Sequence, residues 1–350
     1  MDNSSIYNFL INKYGDLSSF LPFGYALPPI RATIEITYKC NLCCKMCYQQ
    51  SERNKKIKEM DKDDIKKVID QMLPKTLISL TGGEMFTRNY IFEIINYATK
   101  RHVCNIVTNA TLINKEIAKK IVRSGIVLIG VSIDGIEPTH NSIRGIKNAY
   151  EKSIKGIELI QKEKERQNKK FPQIDIKTVI LPDNTKELYE IYKLAEKVSA
   201  DYLTISVLKG SDIQLSPPVL DHISPSLFRK NNKICKLNVN LLKQQINKIV
   251  DSQGTVKLRF YPGNLSKQLE SYFKGRINNK DYYSCTYPWV AFNVSPHGDV
   301  FPCISLKVGN IKEQKLDKIW NGKKMRSFRL QLRKHRVFSA CQGCCNLWFK

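Results

Sequence analysis

Two rhythms of apolar residues alternate through the first 207 positions. Short β-branched runs read as strands: ATIEIT (32–37), LISLT (77–81), CNIVTN (104–109), VLIGVSI (127–133), IDIKTVIL (174–181) and YLTISV (202–207). Between them, MDKDDIKKVIDQML (60–73), NYIFEIINYATK (89–100), NKEIAKKIVRSG (114–125), KNAYEKSIKGIELIQKEKE (147–165) and TKELYEIYKLAEKV (185–198) space their apolar residues three and four apart and read as helices. Asp61 is the expected N-cap of the first, and Gly125 the expected stop of the third. Strands separated by helices and short loops predict an α/β fold: a partial (β/α)6 TIM-like barrel, with its site on the loops after the strand C-termini.

The rhythm then breaks. GSDIQLSPPVLDHISP (210–225) reads as a linker and 226–277 as mostly helical. From Cys285 onward, short strands and turns surround five cysteines, predicting a small C-terminal cysteine-rich α+β module too poor in apolar residues to bury much core without a metal staple. The expected divisions are an N-terminal extension (1–30), the barrel (31–210), a helical linker region (211–277) and the cysteine module (278–350).

Composition narrows the chemistry. No signal peptide or transmembrane run is visible, so the expected compartment is the cytoplasm, where thiols stay reduced. Eleven cysteines in 350 residues therefore point to metal or redox chemistry rather than structural disulfides. The net charge of +25 suits acidic partners, but the chain is rich in Lys, Ile and Asn, and its densest basic run, QKEKERQNKK (161–170), reads as a solvated helix end. Nucleic acid is an unlikely partner, and no membrane partner is expected.

EITYKCNLCCKMCYQQ (35–50) holds Cys40, Cys43, Cys44 and Cys47 directly after the first strand. Cys40, Cys44 and Cys47 have the spacing C-x3-C-x2-C. Three thiolates do not complete a zinc shell unless Cys43 joins them, whereas an iron–sulfur cluster held by three cysteines keeps one iron open. Cys104, within a strand, reads as a small buried hydrophobe, and Cys235, in a Lys-rich helix, as structural.

C-x3-C-x-Φ-C, with Met46 at Φ and Tyr48 following, resembles the signature of radical S-adenosylmethionine (SAM) enzymes. TGGE (81–84), TNAT (108–111), VSIDG (131–135) and HNSIRG (140–145) extend the resemblance, each at or just after a strand's C-terminal end. By that resemblance Cys40, Cys44 and Cys47 hold a [4Fe–4S] cluster. Thr81, Gly82, Gly83 and Glu84 meet the methionyl amino group of SAM, Glu84 through its carboxylate or carbonyl. Ser132 and Asp134 lie near the ribose and methionyl part, and Arg144 holds the methionyl carboxylate. Asn109 is the remaining SAM contact, beside Ala110 where relatives often have Gly. Cys43 is a bystander.

The tail resembles the family's SPASM/twitch-type auxiliary-cluster module. By resemblance Cys285, Cys303, Cys341 and Cys344 hold a second [4Fe–4S] cluster, with Gly298–Asp299 turning a hairpin towards Cys303 and Trp320 closing a short helix. Cys345 is spare, or replaces Cys344. A zinc ribbon held by the same four cysteines is the bland alternative.

The resemblance implies reductive cleavage of SAM to a 5′-deoxyadenosyl radical, hydrogen abstraction from substrate and a net oxidation. A flavodoxin or ferredoxin is the implied electron donor. The main expectation is a carbohydrate-like or phosphorylated small metabolite, because about thirty residues before the first strand leave no room for a leader-peptide domain. The alternatives are a maturase acting on a ribosomally made peptide or protein, and an RNA-modifying enzyme. No substrate base is identified; Tyr282, Tyr283, Arg259 and His297 are candidates by proximity to the tail cysteines.

Overall fold

The computed structural model describes residues 3–47, 49–53, 55–208, 237–303, 306–338, 341 and 343–350. One sheet organises them, in the order β10-β9-β8-β1-β2-β3-β4-β5-β6-β7. Its central strands are β1 (Arg31–Glu35), β2 (Leu77–Thr81), β3 (Val103–Thr108), β4 (Leu128–Ser132), β5 (Gln173–Ile180) and β6 (Tyr202–Val207). These are the runs expected from sequence, all parallel. The helices α1 (Asn3–Ser19), α2 (Gln50–Arg53), α3 (Lys62–Asp70), α4 (Ile91–Thr99), α5 (Lys115–Arg123), α6 (Thr139–Arg144), α7 (Ala149–Arg166) and α8 (Leu188–Lys197) lie before or between them. Asp61 caps α3 through a capping box with Asp64, as its side chain predicts.

Alternation along the strands creates the barrel's two faces. Ile34, Leu80, Ile106, Val131, Ile176 and Ile205 are fully buried in the core that includes the helices. The intervening positions line cavities instead: Thr81, Ser132, Lys177, Thr204 and Ser206. The interior thus holds cavities of mixed polar and apolar lining rather than the packed layers of a filled barrel.

Residues 237–277 differ from the helical expectation. Between α9 (Val239–Val250) and α10 (Leu265–Phe273), β7 (Lys257–Tyr261) adds a parallel strand beside β6. Its signal is period-two: Val256, Leu258 and Phe260 alternate with Lys257, Arg259 and Tyr261. The 210–225 linker and Cys235 lie outside the described residues.

The tail also builds more core than its composition suggested. β8 (Ala291–Val294) pairs in parallel with β1, and β9 (Asp299–Phe301) and β10 (Gly309–Asn310) extend the sheet antiparallel. α11 (Leu316–Trp320), which Trp320 closes, and α12 (Lys323–His335) follow. Trp289, Phe292, Trp320, Met325, Phe328 and Phe349 are all buried in the main core, because the tail borrows the barrel's surface rather than enclosing a core alone. Buried Arg329 ties these parts together: it donates to the carbonyls of Pro288 and Gly24 and to Asn321 Oδ1, and stacks on Trp320. Among the described residues no helix is long and apolar enough to cross a membrane.

Candidate active site

The loop after β1 carries the first cysteines and is held from two sides. Gly82 and Gly83, just beyond β2, pack against its start: a Cβ would lie 2.6 Å from the Thr37 carbonyl oxygen at Gly82 and 2.4 Å from that of Lys39 at Gly83. The glycine pair thus fits backbone to backbone. On the other side Cys43 N donates to Arg144 O (3.2 Å) and Lys45 N to Ile143 O (2.9 Å), at the C-terminal end of α6. Gly145 permits that approach, with φ +77° and the Cys43 carbonyl oxygen 2.4 Å from where its Cβ would stand. Glu59 braces the entrance, accepting from Thr37 Oγ1 and Tyr38 N (both 2.8 Å) and pairing with Arg88.

Cys40, Cys44 and Cys47 are neighbours on this loop, and each thiol has a donor nearby. Leu42 N lies 3.4 Å from Cys40 Sγ, Arg144 Nη1 3.7 Å from Cys44 Sγ, and Arg53 Nη2 3.4 Å from Cys47 Sγ. Burial pushes the Cys40 and Cys44 thiols up, and at Cys44 the Arg144 guanidinium opposes it. Cys43 points outward and is exposed, and Cys104 is fully buried in β3, its thiol pushed up to about 12 by burial. Arg53 was not singled out from sequence. Its only signal is a basic residue six positions after Cys47, and its second contact, Nη1 to Leu42 O (2.7 Å), shows that it clasps the loop.

A cavity of about 350 Å³ faces these thiols, and Thr81, Gly82, Gly83, Asn109, Ser132 and Arg144 all line it. Glu84 and Asp134 lie behind that wall. The Glu84 carboxylate accepts from Asn109 N (2.8 Å) and Thr108 Oγ1 (2.9 Å), tying the loops after β2 and β3 together. Asp134, fully buried, accepts from Val179 N (2.8 Å) and pairs with Arg144. Burial pushes both carboxyls up, with Arg144 pulling the other way. His140 Nδ1 accepts from Asp134 N (3.1 Å), and burial drives this imidazole down to about 3, so it stays neutral. Asn109 Nδ2 donates to Asn41 Oδ1 (3.0 Å), and Ala110 takes a left-handed φ of 60° where a glycine would sit without strain.

The tail cysteines gather at a second point. The Cys285 thiol is driven far up by burial and by nearby Cys341, Cys344 and Cys303. Cys344 N donates to Cys341 O (2.9 Å) in a tight turn, and Gly298, at φ +87°, turns the β8–β9 hairpin before Cys303. Cys344 is buried with this group, whereas Cys345 is exposed. Of the proximity candidates, Tyr282 stacks on Phe349, His297 packs edge-on to Tyr38, and Arg259 contacts Asp175 (3.5 Å). Tyr283 lines a cavity.

That second cavity is a chamber of about 860 Å³ inside and beside the barrel. It shares Ser206 and Cys345 with the smaller cavity, so the two spaces meet there. Tyr283 and Trp348, 57% and 47% exposed, stand at its outer end.

The donor sets fit the expected groups. Buried and half-buried thiols, those of the β1 loop attended by N–H donors, suit iron–sulfur ligation. Among the described residues no three Cys, His, Asp or Glu side chains converge as on a single ion; a cubane, which spreads its thiolates over separate irons, does not need that. Buried Arg144 keeps its Nε without a partner, a spare donor for an anionic group.

Comparison with known proteins agrees. The Radical SAM superfamily model matches residues 34–195, and an iron–sulfur cluster-binding domain, SPASM, matches 285–345. An AdoMet-dependent heme synthase of Methanosarcina barkeri is 30% identical over 304 residues, 82% of this chain and 80% of that protein. The mycofactocin maturase MftC of Mycolicibacterium smegmatis is 30% identical over 187 residues, 52% of this chain, which thus spans 45% of that relative. In structure, Streptococcus suis SuiB bound to precursor peptide SuiA superposes with a TM-score of 0.65 at 16% identity, over 91% of this chain and 72% of SuiB. The chain belongs to the radical SAM superfamily: it is an enzyme whose radical SAM domain binds SAM and a [4Fe–4S] cluster and whose C-terminal SPASM domain binds auxiliary iron–sulfur.

Proposed function

We propose that this enzyme makes an oxidative modification in a peptide substrate, as a maturase. The observation that carries the reading is the chamber of about 860 Å³, long enough to join the cysteine loop's cavity to the exposed Tyr283 and Trp348. A maturase among the relatives supports it, and the shared fold of SuiB accommodates a precursor peptide. These findings support a peptide more than the carbohydrate-like or phosphorylated metabolite expected from sequence. A second reading, modification of a tetrapyrrole, is favoured by the relative matched along most of both chains, a heme synthase.

In this reading Cys40, Cys44 and Cys47 hold the SAM-binding cluster, and Cys285, Cys303, Cys341 and Cys344 hold one auxiliary cluster. When bound, SAM and reduced iron supply a 5′-deoxyadenosyl radical that takes a substrate hydrogen, and the auxiliary cluster accepts the electron left behind. The protein's part is positioning and exclusion of water. Thr81, Gly82, Gly83, Asn109, Ser132 and Arg144 form the SAM wall, while Glu84 and Asp134 fix the loops that carry it. The net charge of +25 favours an acidic electron donor such as a flavodoxin or ferredoxin.

The test is anaerobic turnover of the reconstituted enzyme with SAM, reductant and candidate peptides, following substrate mass. Loss of two hydrogens from a peptide, with equimolar 5′-deoxyadenosine, is the expected result. Turnover of a tetrapyrrole and of no peptide would replace the peptide reading by the tetrapyrrole one.

Two residue-level outcomes follow. Arg144→Ala weakens SAM binding by about 1.5–3 kcal/mol, the worth of a charge-assisted hydrogen bond. The change also strands the buried Asp134, so the measurement compares Asp134→Asn with the double variant, whose protein is free of an unpaired carboxylate. Titration calorimetry reads the difference; equal affinities in that pair would move the carboxylate contact elsewhere. Arg53→Met removes the donor nearest Cys47 and shifts the first cluster's midpoint potential negative, because a thiolate without a hydrogen bond favours the oxidised cluster. Redox titration followed by EPR checks it, with iron content unchanged.

A further inference from the structure

We propose that the chamber selects a substrate carrying a carboxylate, which Arg31 binds at the β1 end while the reacting carbon lies towards Ser206 and Cys345. This rests on the chamber being the substrate site and names the substrate's chemistry.

The argument starts from charge inside the barrel. Arg31 and Lys177 line the chamber from β1 and β5, with Asp16 of α1 the acid in its wall. Lys177 is already partnered, its Nζ 2.8 Å from Asp175 Oδ2. That same oxygen lies 3.5 Å from Arg259 Nη1, so two cations share one buried carboxylate. Arg259 is further committed to the face of Tyr202, 3.4 Å from the ring centroid. Arg31 differs. Its backbone is held in the sheet, its nitrogen donating to Val290 O (3.0 Å), and among the described residues no carboxylate forms an ion pair with its guanidinium.

A half-buried guanidinium in a cavity also lined by Ile11, Val290, Leu347 and Trp348 has a desolvation cost that a planar two-oxygen acceptor offsets best. Tyr287 is near Arg31, and its hydroxyl donates to Asn293 Oδ1 (3.2 Å). Solvation of a surface cation is the bland alternative, but Arg31 sits at the start of a central strand and faces the chamber. Geometry within the barrel separates the two tasks. Arg31 opens β1, whereas Ser206 lies near the C-terminal end of β6, where the chamber meets the cavity of the cysteine loop. An anchored carboxylate therefore sits away from the radical chemistry, and the substrate spans the length between.

The experiment uses the reconstituted full chain and a random hexapeptide library, with bound peptides sequenced by mass spectrometry at about 0.15 M salt to screen the general positive field. Wild type enriches Asp, Glu or a free C-terminal carboxylate about tenfold, the low end for a charge-assisted bidentate pair. Arg31→Gln abolishes the enrichment, Arg31→Lys keeps part of it, and Lys169→Gln, an exposed lysine elsewhere, leaves it intact. Equal enrichment in wild type and Arg31→Gln overturns the proposal, since the overall charge then explains it. A second arm measures coproporphyrin III against its tetramethyl ester. If peptides are not captured and the free acid binds tighter than the ester in an Arg31-dependent way, the carboxylate proposal stands and the peptide reading falls. Captured peptides without acid selection give the reverse. If neither arm depends on Arg31, the proposal is wrong.

Discussion

A variant with Cys40, Cys44 and Cys47 all replaced by alanine is expected to lose about half of the reconstituted iron and all cleavage of SAM. The three thiols are the donors facing the smaller cavity from the β1 loop, and each lies beside an N–H donor. Removing them takes away the ligands but not the loop's supports, because Glu59 holds Thr37 and Tyr38 and the α6 carbonyls hold Cys43 and Lys45. The barrel therefore keeps its fold, which circular dichroism and thermal unfolding check. Iron analysis, and chromatography of 5′-deoxyadenosine, read the result. Cys43→Ala is the internal control: its thiol is exposed, and iron and cleavage both stay at wild-type levels. If the triple variant still yields 5′-deoxyadenosine, the ligand assignment is wrong.

Much of this frame was legible before the structure. Strands β1 to β6 announce themselves because each is buried on its helix-facing side and bounded by turn residues, so their apolar runs are short and dense. β7 was missed because it lies at the sheet's edge: Lys257, Arg259 and Tyr261 dilute its apolar positions, and the helices on either side dominate the window. The tail's core was missed for a related reason. Trp289, Phe292 and Phe349 are spread thinly along the chain, and only pairing of β8 with β1 brings them to a surface that needs covering.

At the site, residue types were readable but their directions were not. Thr81, Gly82 and Gly83 of the TGGE run line the cavity that the cysteine loop faces, whereas the Glu84 carboxylate turns inward to Thr108 and Asn109. Arg144 is in the cavity wall, but a sequence does not disclose that Asp134 already occupies one edge of its guanidinium. Arg53 and Arg31 look like two more cations among 57 Lys and Arg. Only the fold places one beside a thiol and the other inside a chamber.

Replacing Cys285, Cys303 or Cys341 by alanine is expected to separate SAM cleavage from product formation. Cys303, Cys341 and Cys344 lie near Cys285, so under the proposed assignment each change removes one ligand from a single set. Those cysteines fall within the residues matched by the SPASM domain, whereas the thiols facing the smaller cavity belong to the β1 loop. The first cluster therefore still cleaves SAM, slowly, while the electron left on the substrate has no acceptor. Product falls far more than 5′-deoxyadenosine, and the ratio of the two is the readout. Cys345→Ala serves as the comparison, because its thiol is exposed at the junction of the two cavities, whereas Cys344 is buried and Cys285, Cys303 and Cys341 are half-buried. It leaves the auxiliary iron in place, so any loss of product in that variant reports on the chamber and not on the cluster. A zinc ribbon on the same four cysteines predicts a different pattern: about one Zn in place of half the iron, and variants that lose the tail's packing without uncoupling. Metal analysis and Mössbauer spectra of the variant lacking Cys40, Cys44 and Cys47 decide it, since any iron left there sits in the tail. If that protein holds zinc and almost no iron, the auxiliary cluster is absent and a net oxidation loses its electron acceptor.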